Sequence, residues 1–198
     1  MNEVLPFEDA NSLEFLASKN DCSLFALGSH SKKRPHNLVL GRTFDAHILD
    51  MLEFGVENYL PISQFKGSHK AIGSKPLVVF LGDQWTSDST YSKLQNFLLD
   101  FFRGEKIEKV ALKGLDHVIS IAIVESRIHV RIYSVAYKKS GTKVREITIS
   151  ILLIPNMFTQ IPATDLSEIG PRFDLILRRH TFASSDMLKQ ACRKPKNM

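Results

Sequence analysis

Two hydrophobic rhythms divide the chain. In the first half, apolar residues recur at helical spacing in three places. Leu13, Leu16 and Ala17 accompany Asn11-Ser12-Leu13-Glu14, which has the spacing of a capping box and predicts a short helix ending near Lys19. Ile48, Leu49, Leu52 and Val56 follow Asp45, so a second helix is expected there, with Gly55 near its end. Tyr91, Leu94, Leu98 and Phe101 form the longest stripe and predict a helix over residues 87–102, with Gly104 after its end and the stripe in the core. Between these, residues 23–28 read as a strand, residues 37–43 resume apolar character with Leu38, Val39 and Leu40, and Ser31-Lys32-Lys33-Arg34-Pro35 reads as a loop, because Pro35 excludes a helix interior. Residues 64–75 are polar and read as a loop. Residues 76–81 are a continuous apolar run, the pattern of a strand buried on both faces.

The second half changes to a period of two. Residues 117–125, 127–137 and 144–154 alternate, and successive side chains of a strand leave opposite faces. Ile128, Val130 and Ile132 then share one face, while Arg127, His129, Arg131 and Tyr133 share the other. Lys139-Ser140-Gly141-Thr142 reads as a hairpin turn into 144–154. Residues 172–180 alternate again, with Phe173, Leu175 and Leu177 set against Arg172, Asp174 and Arg178. Ser184 or Ser185 caps a last helix carrying Met187, Leu188 and Ala191. Helices and strands are thus mixed throughout, and strands followed by a helix occur in both halves, the rhythm of two related halves.

Composition adds bounds. With 198 residues, 43% hydrophobic and 24% charged, the chain can bury a core without disulfides or metals. Cys22 and Cys192 make no disulfide framework and fit a reducing compartment. The apolar runs are too short and too often broken by charge to span a bilayer. The early Glu3, Glu8, Asp9 and Glu14 do not fit a secretory leader.

Charge sharpens the picture. Residues 1–21 set Glu3, Glu8, Asp9, Glu14 and Asp21 against Lys19 alone, so the formal charge of +5 arises entirely from the remainder. Three basic clusters stand out: Lys32, Lys33 and Arg34 with Arg42 after the next strand; Arg127, His129 and Arg131 on one strand face, continuing to Lys138 and Lys139; and Arg178 and Arg179, joined near the C-terminus by Arg193 and Lys194. Loop cations reach phosphates without a groove-shaped element. Cations beside an aromatic on a sheet are the combination that RNA-binding sheets use. Each cluster equally fits an acidic protein partner or a solvated face at this level.

Catalytic and metal chemistry find little support. The segment Gly67-Ser68-His69-Lys70-Ala71-Ile72-Gly73-Ser74-Lys75 has the wrong glycine spacing and the wrong Ser-Lys order for a phosphate-binding loop. The seven histidines are scattered, neither cysteine has a cysteine neighbour, and no G-x-S-x-G elbow is present. Asp165 and Glu168 read as cap or surface carboxylates. No enzyme activity, cofactor or metal is expected.

Two passages resemble a known family. Leu24-Phe25-Ala26-Leu27-Gly28-Ser29-His30-Ser31-Lys32-Lys33-Arg34-Pro35-His36-Asn37-Leu38-Val39-Leu40-Gly41-Arg42 is similar to the start of a Brix domain, and Glu168-Ile169-Gly170-Pro171-Arg172-Phe173-Asp174-Leu175 resembles the family's C-terminal signature. Read from its residues, the second passage is a hinge into a strand, in which Gly170 tolerates the conformation before proline and Pro171 stops any helix. The resemblance implies an α/β (α+β) Brix domain of two similar halves, with mixed, mostly antiparallel sheets and packed helices. The halves would be residues 23–104 and 105–194. An acidic extension, 1–22, would precede them, and 195–198 would begin the basic tail that family members usually carry. It implies a non-catalytic ribosome-assembly factor of the nucleus and nucleolus.

The Lys-Lys-Arg-Pro and Leu-Gly-Arg elements resemble one branch of the family in particular. That likeness implies work on the large (60S) subunit, binding of ribosomal RNA, and recruitment of 5S ribosomal RNA with its two ribosomal proteins to the pre-60S particle. It also implies an obligate heterodimer with the regulator of ribosome synthesis protein. Residues 144–154, long and apolar on one side, would offer that partner an edge. A second reading stays open: a protein–protein scaffold whose basic face binds acidic partner segments, with RNA contacts made mainly by its partners.

Overall fold

A computed structural model describes residues 5–66, 70, 73–104, 115–138 and 163–193. The elements run α1 (Asn11–Lys19), β1 (Leu24–Ser29), β2 (Asn37–Phe44), β3 (His47–Leu60), β4 (Leu77–Leu81), α2 (Gln84–Ser87), α3 (Ser89–Phe102), β5 (His117–Val124), β6 (Arg127–Lys138), β7 (Ala163–Glu168), β8 (Arg172–Thr181) and α4 (Ser185–Ala191), with one short 3-10 turn at Ile62–Gln64. The described strands form one sheet in the order β1-β2-β3-β8-β6-β5-β4, with β7 also paired to β6. Strands from both sides of residue 104 therefore share it. Among the described residues all strand pairings are antiparallel except β4 with β5. A parallel pair needs a crossover between its strands, and α2 and α3 lie in that connection. The fold is α+β.

Register gives the sheet two unlike faces. Val56, Leu175, Ile128 and Ile123 stand opposite one another in a row across β3, β8, β6 and β5. One residue further along each pairing, Glu57, Asp174, His129 and Ala122 form the next row, on the opposite face. The apolar face is the core. Leu94, Phe97 and Leu98 of α3 are fully buried there with Leu52, Phe54, Ile121 and Ile128. Trp85 of α2 closes one end, donating from Nε1 to the Leu81 carbonyl at 3.1 Å. The aromatic stripe is core, as its spacing predicts.

Three expectations need correction. Residues 45–56 are no helix: they belong to a hairpin and to β3. Asp45 and Ala46 take left-handed φ values of 49° and 64°, which turns β2 directly into β3. β3 then lies between β2 and β8 and is buried on both faces over 49–55. Burial on both faces erases the alternation, and the residual apolar spacing imitates a helix. Residues 77–81 are a sheet edge rather than a strand buried on both faces, and Leu81 is 41% exposed. The capping box does not form. α1 starts after Ala10 without a side-chain cap, and Glu14 instead accepts from the Ile48 amide at 2.9 Å, tying α1 to β3.

Other local signals are met. The helix expected over 87–102 is α3, capped by Asp88 through Thr90 and Tyr91, and the short α2 before it was not expected. Ser184 caps α4 by accepting from Met187 at 3.2 Å, but no residue of α4 is buried. The hinge before β8 forms as its residues suggest. Gly170 has φ 63°, and a Cβ there would fall 2.2 Å from the Phe65 ring. Residues 139–142 and 144–154 lie outside the described residues. No described helix is long and apolar enough to cross a membrane.

The contrast between α3 and α4 is measurable by urea denaturation. Leu98→Ala should cost about 2–5 kcal/mol of stability through the cavity it leaves. Leu188→Ala, which removes a side chain from a 40% exposed position, should change stability by about 0.5 kcal/mol or less.

Candidate nucleic-acid interface

The face opposite the core is organised by two buried carboxylates. Asp174, 2% exposed on β8, lies directly opposite His129 on β6 and Glu57 on β3. It accepts from Asn58 Nδ2 and Arg131 Nη2, each at 2.7 Å, and His129 Nδ1 is 2.8 Å away. Arg131 also donates to the Phe173 carbonyl at 3.0 Å. Glu53, 1% exposed on β3, accepts from Arg34 in the β1–β2 loop and from Arg179 on β8. Arg179 reaches on to Glu8 at 3.1 Å, and its guanidinium lies 4.3 Å from the centre of the Phe7 ring. The same carboxylate thus gathers a loop, a strand and the N-terminal segment.

Between the two centres the β3–β8 register slips at Glu53/Phe54, and Arg178 falls at the irregularity. Its guanidinium crosses β3 at Gly55, where a Cβ would meet it at 2.8 Å. It donates to Asn37 Oδ1 at 2.8 Å and to the Pro35 carbonyl at 2.9 Å. Both acceptors are neutral, and no carboxylate among the described residues pairs with Arg178.

Burial alone would raise the carboxyl pKa values of Glu53 and Asp174. For Glu53, hydrogen bonds from Arg179, Arg34 and Asn37 and the Arg179 charge outweigh burial and hold the group below the ordinary glutamate value. For Asp174, hydrogen bonds from Asn58, Arg131 and His129 and the Arg131 charge do the same. Both stay ionised at neutral pH, as anions of the fold.

This geometry changes the reading of several residues singled out from sequence. Arg34 and Arg179 are not free cations, because Glu53 holds both. His129 and Arg131 share a face as the alternation predicts, but that face is not an open basic surface, because Asp174 sits in its middle. Arg42 is not a flexible cation after a strand. It lies within β2, 13% exposed, bound to Asp50 and Asp100, and fastens the sheet to α3. Arg127 is more open, 46% exposed and 3.4 Å from Glu57.

Lys32 and Lys33 are exposed in the β1–β2 loop with no carboxylate partner among the described residues. Arg193, after α4, is exposed, and its amide donates to the Gln190 carbonyl; no carboxylate partner is present among the described residues. Lys139, Lys194 and the side chain of Lys138 lie outside the described residues. Glu53 is hidden by the helical reading of its segment, although a carboxylate among Met51, Leu52, Phe54 and Val56 is the available signal. Asp174 falls on the polar side of the alternation over 172–180, but nothing local marks it as a buried anion, and Asn58 gives no signal.

This α+β domain, with one apolar and one ionic sheet face, a basic β1–β2 loop and a Gly-Pro hinge into β8, matches the Brix domain over residues 1–179, and the chain belongs to the Brix domain family. The relatives narrow the branch. The chain is 40% identical over 195 residues to the Ribosome production factor 2 homolog of Homo sapiens, an alignment covering 98% of this chain and 58% of that protein. It is 39% identical over 198 residues to the Ribosome production factor 2 homolog of Drosophila melanogaster, covering 100% and 57%, and 39% identical over 204 residues to that of Schizosaccharomyces pombe, covering 98% and 59%. The chain therefore spans a little over half the length of these relatives.

The buried carboxylates set a pH dependence. Both have folded pKa values below the ordinary carboxylate range. Their contribution to stability is thus fully present above about pH 4.5 and is lost as pH falls through the lowered folded values. The urea midpoint should drop between pH 5 and pH 3. In Glu53→Gln/Asp174→Asn that drop should be smaller, from a lower starting midpoint; an equal drop would remove these two groups as its source.

Proposed function

We propose that the chain is a non-catalytic assembly factor of the large (60S) ribosomal subunit. It acts in the nucleolus, binds ribosomal RNA, and pairs with the regulator of ribosome synthesis protein to bring 5S ribosomal RNA and its two ribosomal proteins to the pre-60S particle. Family membership and the names of the relatives support the ribosomal assignment. The observation that carries RNA binding is the β1–β2 loop. Arg34 anchors its base to buried Glu53, and Lys32 and Lys33 at its tip stay exposed. A loop fixed at one point with free cations at the other can hold phosphates with little ordering cost. Arg178, Arg127 and Arg193 extend the cationic surface. The buried carboxylates argue against acid–base catalysis, since both are enclosed by hydrogen-bond donors and held ionised, far from the poised state that proton transfer requires.

One observation favours the second reading, a protein scaffold with RNA held mainly by partners. Arg34, Arg42, Arg131 and Arg179 already neutralise carboxylates within the fold. Under that reading, ribosomal proteins stay bound after RNase treatment and the chain has little affinity for naked RNA.

Charge reversal separates the two. Lys32→Glu/Lys33→Glu should weaken binding to 5S ribosomal RNA by about tenfold or more at low salt and flatten the salt dependence, with thermal stability unchanged. Arg131→Glu should lower stability, because it places a second anion beside buried Asp174. Electrophoretic mobility shifts and thermal unfolding on the same preparations read both. Unchanged RNA affinity in the lysine variant would refute the loop assignment.

A further inference from the structure

Beside the basic loop lies an open cleft of about 1000 Å³ whose lining includes three ring side chains. Gly28, Leu38 and Val56 contribute its apolar surface, and His30, His36 and Tyr59 line it. Tyr59 is 60% exposed, unusual for a large ring on a strand. Its position has a local cause. The β3–β8 register shifts between Glu57 and Leu60, and Asn58 adopts a left-handed φ of 48°. Such irregularities re-aim side chains. Asn58 is held in place by its 2.7 Å hydrogen bond to Asp174. The buried anion under the sheet face therefore also fixes the bend that presents Tyr59.

The opposite wall is equally fixed. His36 has φ 47°, its amide donates to His30 Nδ1 at 3.2 Å, and the Val56 amide donates to the His36 carbonyl at 2.8 Å. The two imidazole rings meet edge to face at 5.0 Å. Lys32 and Lys33 project from the loop that begins and ends at these histidines. Glu57 also lines the cleft. Its carboxylate disfavours a phosphate inside, while the lysines favour one at the rim.

We infer that the cleft between Tyr59 and the His30/His36 pair takes an unstacked base of single-stranded RNA, whose neighbouring phosphates lie on Lys32 and Lys33. This rests on the RNA-binding reading and adds to it the site and the form of the nucleic acid. A duplex keeps its bases stacked and cannot enter. An exposed base has a π-face for the rings whatever its identity. An acidic peptide would satisfy the lysines but would leave the rings unused and bring further negative charge to Glu57.

The test measures anisotropy of fluorescent nine-nucleotide oligo(A) and of a duplex RNA of equal length with the whole chain. Wild type should prefer the single strand. Tyr59→Ala should weaken single-strand binding by about tenfold, leave duplex binding and thermal stability unchanged, and Tyr59→Phe should restore affinity. Lys32→Glu/Lys33→Glu should weaken both ligands and reduce the salt slope. If Tyr59→Ala binds oligo(A) as wild type does while the lysine variant does not, the cleft is overturned and the RNA reading stands. If wild type binds neither RNA, both are overturned. If polyglutamate displaces oligo(A) from wild type but not from Tyr59→Ala, the cleft belongs to an acidic polypeptide and the inference fails.

Discussion

A carboxylate taken out of water must be surrounded by donors or it will not stay charged, and this fold removes two from water on one sheet face. Glu53 and Asp174 are almost wholly enclosed, and each is held by at least one guanidinium and by further hydrogen-bonding side chains. The donors come from separate stretches of chain: the β1–β2 loop, β6, β8 and the bend in β3. Desolvation is costly, and the attraction offsets it only if every donor arrives in position. The pair of anions thus constrains register more than it adds stability. A slip of one residue in β8 would move Asp174 into the apolar layer beneath α3 and expose Leu175.

That constraint shapes what the surface can offer a partner. Arginines that would form a continuous basic field are consumed as counterions of the fold. The cations left over sit at the periphery, on the β1–β2 loop and at the β3–β8 irregularity. Arg34 performs the link. Its guanidinium belongs to Glu53, while the lysines before it remain outside. Asn58 performs a similar link from Asp174 to Tyr59. Rigid attachment inside and free groups outside is a sound arrangement for binding a polyanion, since little ordering is left to the moment of contact.

Legibility varied with burial. β6 was readable because one face is buried and the other half-open, so the period of two survived: Ile128 and Val130 inside, Arg127 and His129 outside. α3 was readable for the same reason at helical period. β3 was misread because both its faces are covered over 49–55, leaving a run whose spacing fits either element. Asp45 and Ala46, the turn that decides the matter, form a left-handed hairpin without glycine or asparagine, so the usual signal was absent. Misreading β3 concealed Glu53, and with Glu53 the fate of Arg34 and Arg179. Arg42 was misjudged because Asp100, one of its partners, lies 58 residues away in sequence.

The sequence by itself determined the mixing of helices and strands, the alternating faces of β6 and β8, a helix start at Ser184 or Ser185, the glycine–proline hinge and the family. Each of these is a local property, set by periodicity or by the backbone chemistry of neighbouring residues. Only the tertiary structure decided which cations are counterions and which remain available. Ion pairing depends on carboxylates brought from distant segments by strand order, and no spacing along the chain encodes that distance.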